Sequence, residues 1–143
     1  GGEYDPVRLI ARVDALSEFL DSEEGGNLLT AYRRAANILK IEEKKDGRQY
    51  DGRIDPRFFE QGEERVLSDG LSEASLAIAE AVTEENFVGA MRALAGLRGP
   101  VDAFFDKVTV NAEDEALRKN RLKLLNGIRA ALGEVADFSK IQG

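Results

Sequence analysis

Cysteine and histidine are both missing from this chain of 143 residues. Without cysteine there is no disulfide framework, and without either residue there is no zinc site of the Cys/His kind. Nucleophilic catalysis by a Cys–His or Ser–His–Asp arrangement is excluded too. Long apolar runs are also lacking: none nears the roughly 18 residues that span a membrane. No stretch has the basic-then-apolar shape of a signal peptide. These absences fit a reducing cytoplasm, the expected location. No phosphate-cradling or dinucleotide fingerprint occurs. Asp46, Asp51 and Asp55 lack the loop spacing of a calcium-binding EF-hand, so no metal site is expected.

Positive charge is in deficit, with 20 Lys and Arg against 27 Asp and Glu, a net charge of −7. That balance argues against nucleic acid as a partner unless the cations are gathered on one face, because the local field and not the sum decides. What is present is ordinary for a globular chain: 43% apolar and 33% charged residues, enough for one domain with its own core. Residues 1–3, opening on Gly1-Gly2, read as a linker or cloning scar, and 4–143 as the domain.

Periodicity and punctuation predict an all-α helical bundle. Asp5 and Pro6 suit the start of a helix over Asp5–Leu20, and Gly25-Gly26 closes the linker after it. A second helix is expected over Asn27–Lys45, with Leu28, Tyr32, Ala35, Ala36 and Leu39 on its apolar face. The turn signals Asp46-Gly47 and Asp51-Gly52 mark an irregular loop, and Asp55-Pro56 opens a short helix carrying Phe58 and Phe59. A third helix is expected over Glu63–Val82. Thr83 is the expected N-cap of a fourth, with a Val82–Phe87 staple and a stop at Gly99-Pro100. A short amphipathic piece over Val101–Val108 and a last helix over Glu113–Val135 complete the chain.

Catalysis has little support, since the carboxylate pairs Asp102/Asp106 and Glu63/Glu64 are of a kind ordinarily solvated or ion-paired. The second helix says more. At 100° per residue, Arg33, Asn37, Lys40 and Lys44 share one stripe that holds no acid. Such a stripe is most often a solvated face; its functional reading is a phosphate-tracking strip with an amide for a base edge. In the last helix Arg118, Lys119 and Lys123 form a second outward-facing group. Arg121 falls among Leu117, Leu124, Leu125 and Ile128, so its guanidinium needs buried acceptors. Asp102 and Asp106 are the expected partners in a structural ion pair.

The segment Pro100-Val101-Asp102-Ala103-Phe104-Phe105-Asp106-Lys107-Val108-Thr109-Val110, with Ala112–Leu125 after it, resembles the closing half of the DALR-type anticodon-binding domain of the glycyl-tRNA synthetase β subunit. Ala31-Tyr32-Arg33-Arg34-Ala35-Ala36-Asn37-Ile38-Leu39-Lys40 is similar to that family's Arg-rich helix, and Val135-Ala136-Asp137-Phe138-Ser139 also fits. Thr109 departs from the pattern, which has methionine there, a change expected to alter packing only. The resemblance implies an RNA-binding module that meets the anticodon of tRNA-Gly, with no chemistry and no cofactor of its own. It further implies a parent enzyme that uses ATP and Mg²⁺, with the aminoacylation site on an α subunit. The related helical domain of arginyl-tRNA synthetase and a helical protein-interaction module stand as alternatives.

Overall fold

The computed structural model describes residues 18–19 and 21–140, and these contain five α-helices, one 3₁₀ turn and no β-strand. They are α1 (Glu23–Asp46), a 3₁₀ turn (Pro56–Phe58), α2 (Gly62–Thr83), α3 (Phe87–Ala95), α4 (Arg98–Lys107) and α5 (Glu115–Lys140). The all-α architecture expected from periodicity is present. Apart from Glu18 and Phe19, the helix expected over Asp5–Leu20 lies outside the described residues.

Local chemistry sets the boundaries. The Ser22 hydroxyl accepts the Gly25 N–H at 3.1 Å, so α1 starts two residues before the glycine pair that was expected to precede it. Thr83 is not a cap: its hydroxyl donates to the Ala79 carbonyl at 3.0 Å inside α2. The cap of α3 is Asn86, which accepts the Gly89 N–H at 2.9 Å. The chain reaches it through Glu85, whose φ of 56° is the one left-handed non-glycine backbone among the described residues. Gly99-Pro100 does not stop a helix either. Pro100 lies in the first turn of α4, where a missing N–H has no helical acceptor to lose. The segment after α1 is an irregular loop, as expected, and Asp55 caps the 3₁₀ turn through the Arg57 N–H at 3.0 Å.

α5 is the axis of the bundle. α1 packs on one side of it and α2 on the other; α3 packs on both α2 and α5, and α4 bridges α2 and α1. Leu122, Leu124, Leu125, Ile128 and Val135 of α5 are buried against Leu67 and Ile78 of α2, Leu39 of α1 and Phe104 of α4. Phe87 meets Phe138 edge-on at 5.5 Å. At Gly127 the helices come so near that an added Cβ would stand 2.7 Å from Leu71 Cδ1.

One ion pair lies inside this core. Arg121 is buried as its helical position requires, but its acceptors are not Asp102 and Asp106. Arg121 Nε donates to Glu64 Oε1 at 2.9 Å, and Nη1 donates to the Thr109 carbonyl at 2.8 Å. α4 buries Val101 and Phe104, with Val108 buried just past its end, which turns Asp102 and Asp106 to the opposite, solvent side. There they lie near Arg98 (3.7 Å) and Lys107 (3.5 Å). Glu64 is fully buried and also accepts the N–H groups of Glu60 and Gln61 at 2.8 and 2.9 Å, closing the N-terminus of α2. Burial pushes its carboxyl up, yet the Arg121 hydrogen bond, the two backbone donors and the Arg121 charge together hold it below its usual value.

Glu64→Ala should cost about 3–5 kcal/mol in urea unfolding, because it strands a buried guanidinium. Glu64→Leu with Arg121→Met should cost clearly less than the sum of the two single changes, though still about 1 kcal/mol for the lost cap. The pH dependence has a definite sign. With its folded pKa depressed, Glu64 contributes stability fully above the ordinary 4.5 and loses it as pH falls through the folded value. In thermal melts from pH 7 to 3, Glu64→Gln should therefore start less stable and lose less on acidification than the parent chain.

Candidate nucleic-acid interface

α1 carries acids and cations on opposite sides, and α5 takes up the acids. Arg118 Nη2 is bonded to Glu42 and, at 2.7 Å, to Asp46. Arg129 meets Glu43 with two nitrogens, each at 3.2 Å. Tyr50 comes back over the end of α1, donating its hydroxyl to Asp46 and its N–H to Glu43 at 3.0 Å. The Tyr50 hydroxyl and then Arg118 hold the Asp46 carboxyl below its usual range. For Glu43, burial pushes up, but the Arg129 bond and the Tyr50 N–H win and the pKa is lowered.

The cations of α1 point away from these contacts. Arg33, Asn37, Lys40 and Lys44 are all exposed on one stripe. Among the described residues Arg33, Lys40 and Lys44 make no ion pair. Among the described residues no acid pairs with the strip, and Glu42, Glu43 and Asp46 are engaged on the far side of the same helix.

The second expected group does not form. Arg118, expected to face outward, is 6% exposed, with Nε on Asn111 Oδ1 at 2.8 Å and Nη1 on Glu115 at 3.3 Å. The Asp46 bond foremost, and then those of Glu42 and Tyr50, outweigh the opposing effect of burial and push its pKa above the usual arginine value. It does not face outward: its guanidinium ties α5 to α1 from inside the bundle. The reason is the breadth of the buried arc of α5. With α1 and α2 on opposite flanks, the arc covers about 200° of the helix, from Asn120 at one edge to Leu122 at the other, with Arg118 inside it between Leu122 and Leu125. Lys119 and Lys123 are half-buried; a Cβ added at Gly52 would meet Lys123 Cε at 3.4 Å.

Sequence reasoning missed two features near the strip. Asn120 clamps the loop before the 3₁₀ turn, accepting the Asp55 N–H at 2.8 Å and donating to its carbonyl at 3.0 Å. Arg34, one position on from Arg33, lays its guanidinium on the Phe105 ring at 4.4 Å from the centroid. It spans a cleft of about 490 Å³ between α1 and α4, lined by Asn27, Thr30, Arg34, Asp102, Phe105 and Asp106. Asp102 and Asp106 thus belong to this cleft and not to the core. A wheel of α4 would have found them there, since Val101, Phe104 and Val108 already define its buried side.

Comparisons with known proteins bear on this arrangement. The model of the DALR anticodon binding domain matches residues 28–141. The chain is 60% identical over 144 residues to the glycine–tRNA ligase β subunit of Rhodospirillum centenum, covering 100% of this chain and 20% of that protein. It is 49% identical over 142 residues to that of Phenylobacterium zucineum (99% and 21%). It is 46% identical over 142 residues to that of Cereibacter sphaeroides (99% and 20%). The chain spans about a fifth of the length of these curated relatives. With a family model covering most of its length and α1 presenting an unneutralised cationic strip, the chain belongs to the DALR anticodon binding domain family.

Proposed function

We propose that this chain is the tRNA-gripping part of a glycine–tRNA ligase β subunit and holds the anticodon arm of tRNA-Gly on the outer face of α1. The observation that carries this reading is the exposed, unpaired strip of Arg33, Lys40 and Lys44 in a chain of net charge −7. Family membership supplies the kind of ligand, and the β-subunit names of the relatives supply the enzyme. Arg33, Lys40 and Lys44 track phosphates and Asn37 offers an amide beside them; Lys119 and Lys123 are secondary contacts. Such contacts position an RNA without reading its sequence.

In this proposal chemistry lies elsewhere. Glycine activation with ATP and Mg²⁺ belongs to the parent enzyme and its α subunit, in the cytoplasm. No helix among the described residues is long and apolar enough to cross a membrane. No group of three or more Asp and Glu side chains that could hold a metal ion occurs among them.

Changing Arg33, Lys40 and Lys44 together to Glu should weaken tRNA-Gly binding and flatten its dependence on salt. Each lost phosphate contact removes roughly 0.7–0.9 from the slope of log K against log salt. If the triple variant, folded by circular dichroism, keeps the parent slope, the strip is not the RNA site. The chain alone should give no glycine-dependent pyrophosphate exchange; turnover above background would reject this division of labour.

A further inference from the structure

We propose that Asp51 is a self-modification site: its carboxyl and the Gly52 amide close to a succinimide that opens to isoaspartate, and the product is a methyl acceptor for a carboxyl methyltransferase that uses S-adenosylmethionine. Asp or Asn precedes glycine at four places in the chain, Asp46-Gly47, Asp51-Gly52, Asp69-Gly70 and Asn126-Gly127. Each pair carries the groups for the reaction, and the fold leaves them free at one.

Three of the pairs are locked. Asp69-Gly70 lies inside α2 and Asn126-Gly127 inside α5, where the helix holds each amide N–H on the carbonyl four residues back. The five-membered ring needs that nitrogen free and the backbone swung out of the helical conformation. The Asn126 amide oxygen is engaged as well, accepting from Arg129 at 2.7 Å. At Asp46-Gly47 the Gly47 N–H donates to the Glu43 carbonyl in the cap of α1. The Asp46 carboxylate is held by the Tyr50 hydroxyl and by Arg118, so both reacting groups are occupied.

Asp51-Gly52 is different. Both residues are exposed and lie outside any helix. Neither the Asp51 carboxyl nor the Gly52 N–H makes a hydrogen bond or ion pair among the described residues. With no side chain on Gly52 the attacking nitrogen is unscreened, and glycine turns its backbone at least steric cost. The segment is also bounded. Tyr50 is buried with its N–H on Glu43, and Asn120 grips Asp55 at both its N–H and its carbonyl. Residues 51–54 between these anchors can rearrange without drawing on the core.

The steps need only water. The Gly52 nitrogen attacks Cγ of the neutral Asp51 carboxyl, and water leaves as the imide closes. Water then adds to one of the two ring carbonyls. Addition at Cγ breaks the new bond and restores aspartate. Addition at the main-chain carbonyl breaks the original peptide bond, so the backbone now runs through Cγ and the main-chain carboxylate is freed. A carboxyl methyltransferase acts on that carboxylate, whose oxygen takes the methyl from the sulfonium of S-adenosylmethionine. The Gly52 nitrogen then displaces methanol from the ester, and hydrolysis of the renewed imide returns a share of the chain to aspartate.

The test ages the whole chain in warm neutral buffer for some weeks and then digests it with trypsin. Cleavage after Lys and Arg puts the pairs on separate peptides, 46–48, 49–53, 66–92 and 124–129, and isoaspartate changes a peptide's retention in chromatography. Expected is isoaspartate in 49–53 at a rate roughly ten-fold or more above the other three, which react only through local opening. Given a purified isoaspartyl methyltransferase and labelled S-adenosylmethionine, the 49–53 peptide should take up label and the others should not. Aged in guanidinium chloride, the other three pairs should speed up by roughly ten-fold or more while Asp51 changes little. Gly52→Ala should stay folded, because its methyl would meet only the end of the Lys123 side chain, at 3.4 Å, and it should slow the reaction several-fold. The proposed site is overturned if Asp46 or Asp69 isomerises as fast as Asp51 in the folded chain. It is overturned equally if 49–53 gains isoaspartate only after denaturation, or if the contrast among the pairs persists in guanidinium chloride. An isoaspartyl 49–53 peptide that takes up no label rejects the methyl-acceptor half of the proposal.

Discussion

The bundle depends on a carboxylate and a guanidinium that share one dry site. Glu64 closes the N-terminus of α2 with two backbone N–H bonds while holding Arg121 of α5, and Arg121 reaches on to the Thr109 carbonyl. Three separate parts of the chain, the start of α2, the α4–α5 connection and α5 itself, are therefore registered to one another at one point. A buried ion pair is not in itself a large source of stability, because desolvation offsets most of the attraction. Its effect is on choice: any packing that slides α2 along α5 by a turn leaves a buried charge without its partner. The same contact uses Thr109 through its backbone. Its side chain is exposed and its contribution is a backbone oxygen.

That register sets up the charge arrangement on which function turns. α5 offers Arg118 and Arg129 to α1, and Glu42, Glu43 and Asp46 answer them. A net-acidic chain can present a cationic face only if its acids are used elsewhere, and here they hold α1 against the axis of the bundle. The cations left over on α1 then stand on the side away from α5. Charge segregation and helix packing are one arrangement, with the inner pairs fixing the rotation of α1 and the rotation fixing where Arg33, Arg34 and Asn37 face.

How much of this could be read beforehand varies with how local the cause is. Among the described residues helix existence was legible, because apolar spacing reflects which side is dry. The outward strip of α1 was legible for the same reason, and so was the burial of Arg121 among four apolar neighbours. Its partner was legible too, though not identified: Glu64 sits three residues before Leu67 and seven before Leu71, on the very stripe that α2 buries. Arg118 was legible as well, though not identified: Leu122, four residues on, and Leu125, seven on, bracket it on the wheel of α5. Boundaries failed where two residues compete for one role. Thr83 and Asn86 are both good caps, and Glu85 in a left-handed conformation decides for Asn86. Pro100 reads as a stop or as a first-turn residue, and the direction of the next helix decides which.

The two layers of charge on α1 differ in how they meet solvent, and this separates binding from integrity. Arg33, Lys40 and Lys44 are exposed, so added salt screens them within a Debye length of about 8–10 Å and weakens any hold on phosphate. Arg118 and Arg129, with their carboxylates, are largely enclosed, and enclosed pairs are screened far less. The carboxyls of Glu43 and Asp46 are held below their usual range, so these pairs stay charged well to the acid side of neutrality. Under the proposed function, salt can therefore release an RNA from the strip while the frame that orients the strip remains in place. Such a surface can let go of one RNA and take another without refolding, and the exposure of its cations, set against the enclosure of their counterparts, is what permits it.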